Sequence, residues 1–338
     1  MSVIRVVQWG LGAMGSGMVK LLAGRTGVEV VGVIDKDPAK VGRDLGEVVD
    51  GVEKGVIISD NPEKVLSETN ADLVLLTTGS FITQVYSQIM QSLDARCNVI
   101  TIAEEMAAPE VVEKELAFEM DRLAREKGVT VVGTGINPGF VLDTLIIALS
   151  GVCCDIERIE AERVNDLSPF GQTVMETQGV GTSPAQFMEG VANGTIVGHI
   201  GFQQSITLIA KALGWDLDEI REEKEPIISK TYRETSFVKI QPGMVAGCNH
   251  RSYGYKDGKL VITLKHPQQI IPEIEGVKTG DYITIYGTPP VNLAINPEVP
   301  GGIGTIAIAV NMIPLVINSE PGLKTLADLP LASTWKKL

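Results

Sequence analysis

Two adjacent carboxylates, Glu104 and Glu105, closely follow the strand-like run NVIT in the segment NVITIAEEM. A carboxylate can take up a proton and can stabilise positive charge beside it, whereas a lysine there would polarise an oxygen. Burial in a partly dry pocket would raise the pKa of such an acid toward neutrality. Side chains at a strand end alternate in direction, so we expect one acid to face a reacting group. The competing interpretation places both acids in solvent at a helix start.

A glycine-rich turn, GLGAMG, directly follows the apolar run VIRVVQW (3–9) and opens a helical stretch. Gly10 permits the tight turn, Gly12 lets backbone approach a pyrophosphate, and Gly15 allows close packing of helix against strand. A helix N-terminus also attracts phosphate charge. The strand on one side and the helix on the other predict a dinucleotide site, although a glycine-rich turn that binds nothing is the alternative.

Asp35 ends the second strand-like run, VEVVGVID, at the position where a carboxylate accepts hydrogen bonds from ribose hydroxyls. That acid favours NAD, but Lys36 and Arg43 would soften its repulsion of a 2′-phosphate, so NADP stays open. TTGS (77–80) follows the next long strand and is expected beside the nicotinamide ribose. The expected cofactor-binding residues are Gly10, Leu11, Gly12, Ala13, Met14, Gly15, Asp35, Lys36, Thr77, Thr78, Gly79, Ala103 and Asn137.

Apolar runs alternating with helical stretches must position these residues. DLVLLTT (72–78), NVIT (98–101) and VTVVGTG (129–135) are uninterrupted apolar strands, as a parallel sheet covered on both faces requires. After NPGF (137–140), strands that alternate in polarity follow one another, with helices set apart. The prediction is an α/β protein with an N-terminal Rossmann doubly wound parallel sheet and a second α+β domain with an open mixed sheet.

Three segments are expected: a dinucleotide-binding domain over 1–137, a substrate and oligomerisation domain over 138–297, and a helix and tail over 298–338 that return to the first domain. The stretch 301–318 carries no charge, and a buried helix is favoured over a membrane span because it contains Asn311 and Pro314. The glycine-rich stretch 171–184 is expected to be a mobile loop.

Composition narrows the classes of partner and the cellular compartment. The chain has 338 residues and a formal net charge of −13, which argues against nucleic acid and anionic membranes as partners. Four cysteines without CxxC spacing indicate reduced thiols, a cytoplasmic location and no metal site. The first residues enter a strand without the charged and apolar regions of a signal peptide.

With GLGAMG, Asp35, AEEM, TGINPGF and IPLVINSEPGLKTLADLPL in view, the whole chain resembles the 2,4-diaminopentanoate dehydrogenase and native amine dehydrogenase family. The resemblance implies a dihydrodipicolinate-reductase-like two-domain fold. It also implies oxidative deamination of 2,4-diaminopentanoate to 2-amino-4-oxopentanoate and ammonia with NAD or NADP, a step in ornithine degradation. The motif position favours Glu104 as the acid/base and iminium stabiliser, with Glu105 second.

A diamino acid also needs groups that hold its polar atoms. The candidate substrate-binding residues are Arg163, Asn165, Thr173 and His199. Arg163 would offer a carboxylate a bidentate fork, whereas pairing with Glu160 or Glu162 is the structural alternative. A lone histidine such as His199 is more often structural.

Two rival functions remain open. The first is an imine or aldehyde reductase of the dihydrodipicolinate reductase or homoserine dehydrogenase type, although this chain lacks the adjacent His-His pair and lysine of dihydrodipicolinate reductases. The second is a non-catalytic NAD-sensing protein that uses the fold for binding only. A homodimer is expected, because an open sheet and an uncharged helix need covering.

Overall fold

The computed structural model describes residues 3–338 and divides the chain into two compact units. The first unit takes the chain up to Phe140 together with Pro300–Leu338, and the second is Val141–Val299. The later part of the chain thus contributes to the first unit, which we describe before the second.

Strands and helices are each numbered in the order in which they occur along the chain. The strands are β1 (Ile4–Trp9), β2 (Val28–Ile34), β3 (Ile58–Ser59), β4 (Leu73–Leu76), β5 (Asn98–Thr101), β6 (Thr130–Gly133), β7 (Asp155–Asp166), β8 (Glu219–Ile228), β9 (Arg233–Glu234), β10 (Lys239–Ile240), β11 (Val245–Lys256), β12 (Lys259–Gln269), β13 (Gly280–Thr288), β14 (Val291–Ile295) and β15 (Gly322–Lys324). The α-helices are α1 (Ala13–Ala23), α2 (Leu45–Val48), α3 (Pro62–Thr69), α4 (Ile82–Asp94), α5 (Lys114–Lys127), α6 (Thr144–Ser150), α7 (Gln172–Thr177), α8 (Pro184–Asn193), α9 (Phe202–Leu213), α10 (Gly301–Asn311) and α11 (Ile313–Ile317). Short 3₁₀ turns lie at Glu104–Ala107, Pro109–Val111, Pro272–Glu275 and Leu326–Asp328.

The first unit is built on a seven-stranded sheet in the order β15-β6-β5-β4-β1-β2-β3, and every neighbouring pair in it is parallel. All four residues of β4 are buried, as are Val99, Ile100 and Thr101 of β5. Helices on both faces explain why these strands are uninterrupted apolar runs rather than alternating ones. The expected doubly wound parallel sheet is confirmed.

The second unit is built on a six-stranded sheet in the order β14-β13-β7-β12-β11-β8. The β7–β12 pair is parallel and the other pairs are antiparallel, so the expected open mixed sheet is confirmed. β8 carries the sequence EIREEKEPII, and its charges are tolerated because it lies at the edge of the sheet, where one side faces water. β9 and β10 form a separate short antiparallel hairpin.

The uncharged segment forms α10 and α11, which are separate helices. α10 lies against α1, where a Cβ on Gly17 would overlap the side chain of Ile306. Within residues 3–338, no helix has the length and apolarity needed to cross a bilayer.

The expectation of a loop over 171–184 is wrong in part. Gln172–Thr177 forms α7, which buries Met175, and Ser183 caps α8 by accepting a hydrogen bond from the backbone N–H of Gln186. The flanking glycines concealed this helix in the sequence, because Gly171, Gly179 and Gly181 are typical of a loop.

Candidate functional site

Two segments predicted to bind a cofactor, and the predicted catalytic pair of glutamates, lie at the carboxyl edge of the first unit's parallel sheet. β5, β4 and β1 are adjacent strands, and they end at Thr101, Leu76 and Trp9. The glycine-rich turn, the TTGS loop and the two glutamates follow those ends. In open α/β sheets, ligands bind outside the carboxyl ends of the strands, so the topology alone makes this edge the candidate site.

The glycine-rich turn has the geometry that a dinucleotide needs. Gly10 has a φ of +93°, which L residues with side chains rarely adopt, and a Cβ on Gly15 would overlap the carbonyl oxygen of Gly10. A Cβ on Gly12 would meet no other atom within 4 Å, so the backbone is open there. No described side chain caps α1, and its first turn, from Ala13 and Met14 onward, has no acid. The turn therefore fits a pyrophosphate at a helix N-terminus.

Asp35 lies against this turn. Its Oδ2 accepts a hydrogen bond from the N–H of Leu11 at 2.5 Å, and its Oδ1 accepts one from the N–H of Asp37 at 2.8 Å. These bonds fix the carboxylate beside the backbone that would carry the pyrophosphate, as a ribose-binding acid requires. Lys36 is exposed, whereas Lys40, which sequence reasoning missed, lies on the turn with Nζ 3.1 Å from the carbonyl oxygen of Leu11.

Thr77 is hydrogen-bonded to the glycine-rich turn. Its hydroxyl donates to the carbonyl oxygen of Gly10 at 2.9 Å. Gln8, a fully buried polar residue of β1, donates from Nε2 to both the Thr77 hydroxyl (3.0 Å) and the Gly10 carbonyl oxygen (2.9 Å). Sequence reasoning missed Gln8. The signal that would have found it is the glutamine inside the apolar strand IRVVQW, because a buried amide must find partners.

The rest of the TTGS loop is held by α4. The hydroxyl of Thr78 bonds the side chain of Gln88, and Gly79 leaves room for the side chain of Gln84, which a Cβ on Gly79 would crowd. Gln84 in turn accepts a hydrogen bond from the N–H of Ser80 at 3.2 Å. The loop is therefore a fixed surface beside the turn.

The two glutamates have different surroundings in the short helix that follows β5. Glu105 Oε2 accepts a hydrogen bond from the N–H of Ile82, the first residue of α4, at 2.8 Å. Burial raises the pKa of Glu104 above its usual value. The charge of Glu105 adds to the rise, while hydrogen bonds from the Glu104 backbone and the Ser80 hydroxyl oppose it. Glu104 is thus an acid whose pKa is shifted toward neutrality, and Glu105 caps a helix.

Two further cofactor candidates lie at the same edge. Ala103 is buried directly before Glu104, and its N–H donates to the hydroxyl of Thr101 at 3.2 Å. Asn137 is half-buried in the segment that follows β6. Every candidate cofactor residue of the sequence is therefore at, or directly after, the carboxyl ends of this sheet, and their contacts with a cofactor remain predictions.

In the second unit, Arg163 on β7 is not the free cation that a substrate carboxylate would need. Its guanidinium pairs with Asp281 at 2.5 Å and donates to the carbonyl oxygen of Val299 at 2.6 Å, with 3% and 1% of the two charged side chains exposed. The sequence offered a structural alternative in which Arg163 pairs with Glu160 or Glu162. That alternative is wrong, because the partner is Asp281. Glu160 pairs with Arg158 instead. The buried pair gives Arg163 a structural role in this sheet.

The three histidines of the chain are distant in sequence but lie together in the second unit. The ring of His199 packs edge-on against His266 at 4.8 Å between centroids, and Phe202 joins it to His250. The N–H of His199 donates to Nδ1 of His250, so the proton of His250 lies on Nε2, which faces Glu222 at 3.0 Å. Burial, followed by the charges of His250 and Arg163, lowers the pKa of His199 well below its usual value.

The other substrate candidates lie partly inside this cluster. Asn165 is buried, with its Oδ1 3.1 Å from Nε2 of His266. Nε2 of His199 is buried and has no hydrogen-bond partner among residues 3–338. Thr173 is exposed on α7. Across the described chain, no group of three or more His, Cys, Asp or Glu side chains is arranged to hold a metal ion.

Two family models match the chain. One is the 2,4-diaminopentanoate dehydrogenase C-terminal domain, over residues 140–337, and the other is the dihydrodipicolinate reductase N-terminus, over residues 4–102. A relative from Acetoanaerobium sticklandii, named 2,4-diaminopentanoate dehydrogenase, is 47% identical over 98% of this chain and 94% of its own. A Streptomyces virginiae protein named amine dehydrogenase is 24% identical over 97% of this chain and 96% of its own.

Two solved dehydrogenase structures are similar to this chain over most of its length. The structure of an amine dehydrogenase from Mycobacterium smegmatis is similar with a TM-score of 0.88 and 27% identity, and covers 100% of this chain and 99% of that chain. A probable dehydrogenase from Thermotoga maritima is similar with a TM-score of 0.63 and 11% identity, covering 96% and 92%. The second likeness concerns the fold alone.

Proposed function

The chain belongs to the 2,4-diaminopentanoate dehydrogenase family, as its motifs predicted, and we propose that it oxidatively deaminates 2,4-diaminopentanoate with NAD or NADP. The products would be 2-amino-4-oxopentanoate, ammonia and reduced nicotinamide. The observation that carries this proposal is the similarity, over nearly the whole chain, to the relative that bears that enzyme's name. The step would belong to ornithine degradation, as the resemblance implies.

The first unit supplies the residues that would hold the cofactor. The N–H groups at the start of α1 would bind the pyrophosphate, and Asp35 would bind ribose hydroxyls. Thr77, Thr78 and Gly79 would lie along the nicotinamide ribose. When bound, the nicotinamide accepts the hydride that leaves the amine-bearing carbon.

Glu104 has the charge and the pKa that amine oxidation needs. The substrate ammonium must lose a proton before hydride leaves, and the carbon–nitrogen unit that results is an iminium cation. A carboxylate stabilises that cation, and the raised pKa of Glu104 makes it a stronger base than an ordinary glutamate. Once that first proton has passed to solvent, the same carboxylate can take a proton from the water that attacks the iminium carbon. The sum is one substrate ammonium, one water and one oxidised nicotinamide giving ketone, free ammonium, reduced nicotinamide and one proton.

Glu105 is assigned a supporting role in this proposal. Its carboxylate is already bound to the start of α4, so it fixes the short helix that carries Glu104. The sequence favoured Glu104 as the acid/base with Glu105 second, and this proposal leaves the acid/base role to Glu104 alone.

The substrate-binding residues of the second unit remain predictions. The unpartnered Nε2 of His199 supports a role in binding a polar group, because a buried ring nitrogen without a partner is costly. Asn165 would support the histidine cluster, and the Asp281 pair makes Arg163 an indirect contributor. Thr173 has only its exposure in favour of contact with a ligand.

Two broader expectations belong to the same proposal. A homodimer is supported by the open sheet of the second unit, whose outer strands β14 and β8 each have an edge that no strand within residues 3–338 pairs with. A cytoplasmic location is supported by the four cysteines, all of which are free thiols.

The proposal is tested by incubating the purified chain with 2,4-diaminopentanoate or simple diamino acids and either NAD⁺ or NADP⁺. We expect reduced nicotinamide and ammonia to form in equal amounts, with 2,4-diaminopentanoate the best substrate. Ammonia-free oxidation, or turnover only of aldehydes and cyclic imines, would contradict it. Nucleotide binding without turnover of any primary amine would instead favour the NAD-sensing alternative.

A further inference from the structure

We propose that Lys40 determines which cofactors this protein binds: its ammonium donates a hydrogen bond to the 2′-phosphate of NADP⁺, so that NADP⁺ and NAD⁺ bind with comparable affinity. The inference rests on the proposed nucleotide site and goes beyond it. Sequence position alone pointed to Lys36 and Arg43 as the cations beside Asp35. The structure points to Lys40 instead.

Lys40 is the cation that lies on the glycine-rich turn. Its Nζ is 3.1 Å from the carbonyl oxygen of Leu11, 3.2 Å from Oδ2 of Asp37 and 3.9 Å from Oδ2 of Asp35. The last distance is too long for a hydrogen bond. An ammonium has three N–H donors, and only two acceptors lie within bonding distance in the described structure, so one donor is available to a ligand.

The other two cations of this segment are placed differently. Arg43 is exposed and donates to the carbonyl oxygen of Glu47 at 3.2 Å, which directs it along its own loop. Lys36 is exposed. By contrast, only 25% of the Lys40 side chain is exposed, and its charge is therefore less screened than that of a free surface lysine.

The carboxylates around Lys40 can release it at low cost. Asp35 keeps two backbone hydrogen bonds, from Leu11 and Asp37, whether or not the ammonium is near. Asp37 has 42% of its side chain exposed and would be solvated by water if Lys40 moved to a ligand. Exposed ion pairs are weak, whereas an ammonium bound to a phosphate oxygen forms a strong charge-assisted hydrogen bond. We therefore expect the Lys40 ammonium to leave the Asp37 carboxylate and to bind a 2′-phosphate when NADP⁺ is present.

The local charge also balances. Asp35 and Asp37 contribute two negative charges, and Lys36 and Lys40 contribute two positive charges. An isolated carboxylate at the ribose would repel a 2′-phosphate, but this set presents no net negative charge to it. Asp35 can still accept a ribose hydroxyl of NAD⁺, because each carboxylate oxygen has a second acceptor site.

The test is calorimetric titration of NAD⁺ and NADP⁺, without amine, into the full chain and into Lys40→Gln. We expect Kd for NADP⁺ to rise about tenfold or more in Lys40→Gln, while Kd for NAD⁺ changes less than about threefold. An exposed lysine paired elsewhere supplies the matched control: Lys54 has 68% of its side chain exposed and its Nζ 3.2 Å from Oε1 of Glu47, and Lys54→Gln should change both constants by less than about threefold. Lys40→Arg, which keeps the charge, should retain NADP⁺ binding. In the wild type, added salt should weaken NADP⁺ more than NAD⁺.

Several outcomes would overturn the inference. If Lys40→Gln raised Kd equally for both nucleotides, Lys40 would act only by holding Leu11. If Kd for NADP⁺ did not change, Lys40 would have no role in binding the 2′-phosphate. A wild type that binds NAD⁺ but rejects NADP⁺ would contradict it directly and leave the proposed function intact. Failure of the wild type to bind either nucleotide would contradict the proposed function, and the inference with it.

Discussion

The carboxylate of Glu105 accepts a hydrogen bond from the N–H of Ile82, with 2.8 Å between Oε2 and N, so an acid from the loop after β5 caps the first turn of α4. Phe81, at the N-cap position, has no side-chain acceptor of its own. Glu104 and Glu105 are adjacent and chemically identical, but their carboxylates have different surroundings. The raised pKa belongs to Glu104, whose carboxylate accepts hydrogen bonds from its own backbone and from the Ser80 hydroxyl instead.

The cap predicts a stability effect for Glu105→Ala. Loss of a side-chain N-cap typically costs about 1 kcal/mol, and we expect the free energy of unfolding to fall by that amount in urea denaturation. Glu113→Ala is the matched control, because Glu113 occupies the N-cap position of α5 without making a side-chain cap bond. Equal effects in the two variants would contradict the assigned role of Glu105.

Glu104 predicts the pH profile of the reaction. Because burial raises its pKa, the acidic limb of kcat/KM should titrate above the ordinary glutamate value of 4.5. Activity should rise with pH through that limb as the carboxylate ionises. Glu104→Gln should lose the limb and about 10²- to 10⁴-fold in kcat, while its Kd for NAD⁺ stays near that of the wild type. A limb at or below the ordinary value, or near-normal turnover of Glu104→Gln, would remove Glu104 as the base.

We expect alanine at Gly12 to weaken cofactor binding and alanine at Gly15 to lower stability. Gly12→Ala places a methyl group in open space at a φ of −75°, so we expect unchanged thermal stability but weaker binding of NAD⁺, by about tenfold. Gly15→Ala forces its Cβ onto the Gly10 carbonyl, and we expect a loss of about 2 to 4 kcal/mol in unfolding free energy. Thermal unfolding and calorimetric titration separate the two. Equal thermal stability of both variants would show that the turn is not packed as described.

Glu275 and Arg233 predict how the second unit responds to acid. Burial opposes ionisation of Glu275, but hydrogen bonds from Lys230, Arg233 and Thr231 overcome it and lower its pKa to about 2. A depressed carboxyl pKa contributes stability that is present above its usual value of 4.5 and is lost as pH falls toward about 2.

Glu275→Gln should therefore be less stable than the wild type by about 2 kcal/mol near neutral pH, since Arg233 is left buried without its counter-charge. The difference should shrink steadily as the pH of denaturation is lowered from about 5 to about 3. Glu273→Gln, on the same short helix, is the control and should show no such trend. A difference that is independent of pH would refute the linkage.

Local signals were enough to predict the nucleotide half of the molecule. The strand, turn and helix around GLGAMG, and the acid at the end of β2, depend on residues close in sequence, so their pattern determines their structure. The position of Glu104 after β5 was equally local. Its difference from Glu105 was not, because the Ser80 hydroxyl and the Ile82 N–H come from the loop before α4 and from the first residue of that helix.

Contacts distant in sequence account for what was missed. Arg163 meets Asp281 because β7 and β13 are antiparallel neighbours that pair these two residues. His250 and His266 face each other because β11 and β12 pair in that register, and no spacing rule in the sequence reveals it. The edge strand β8 was missed since its charged residues hide the alternation on which strand prediction depends.

The late position of β15 in the chain has a consequence for biosynthesis. Strands β7–β14 are contiguous, so the second unit has all its parts once the ribosome has passed Val299. The parallel sheet that begins at Ile4 must wait for Gly322–Lys324 before β6 gains its outer neighbour. Until then the nascent chain carries an exposed strand edge, the feature that draws chaperones and unwanted pairing. The half of the enzyme that is translated first is thus the half that is finished last.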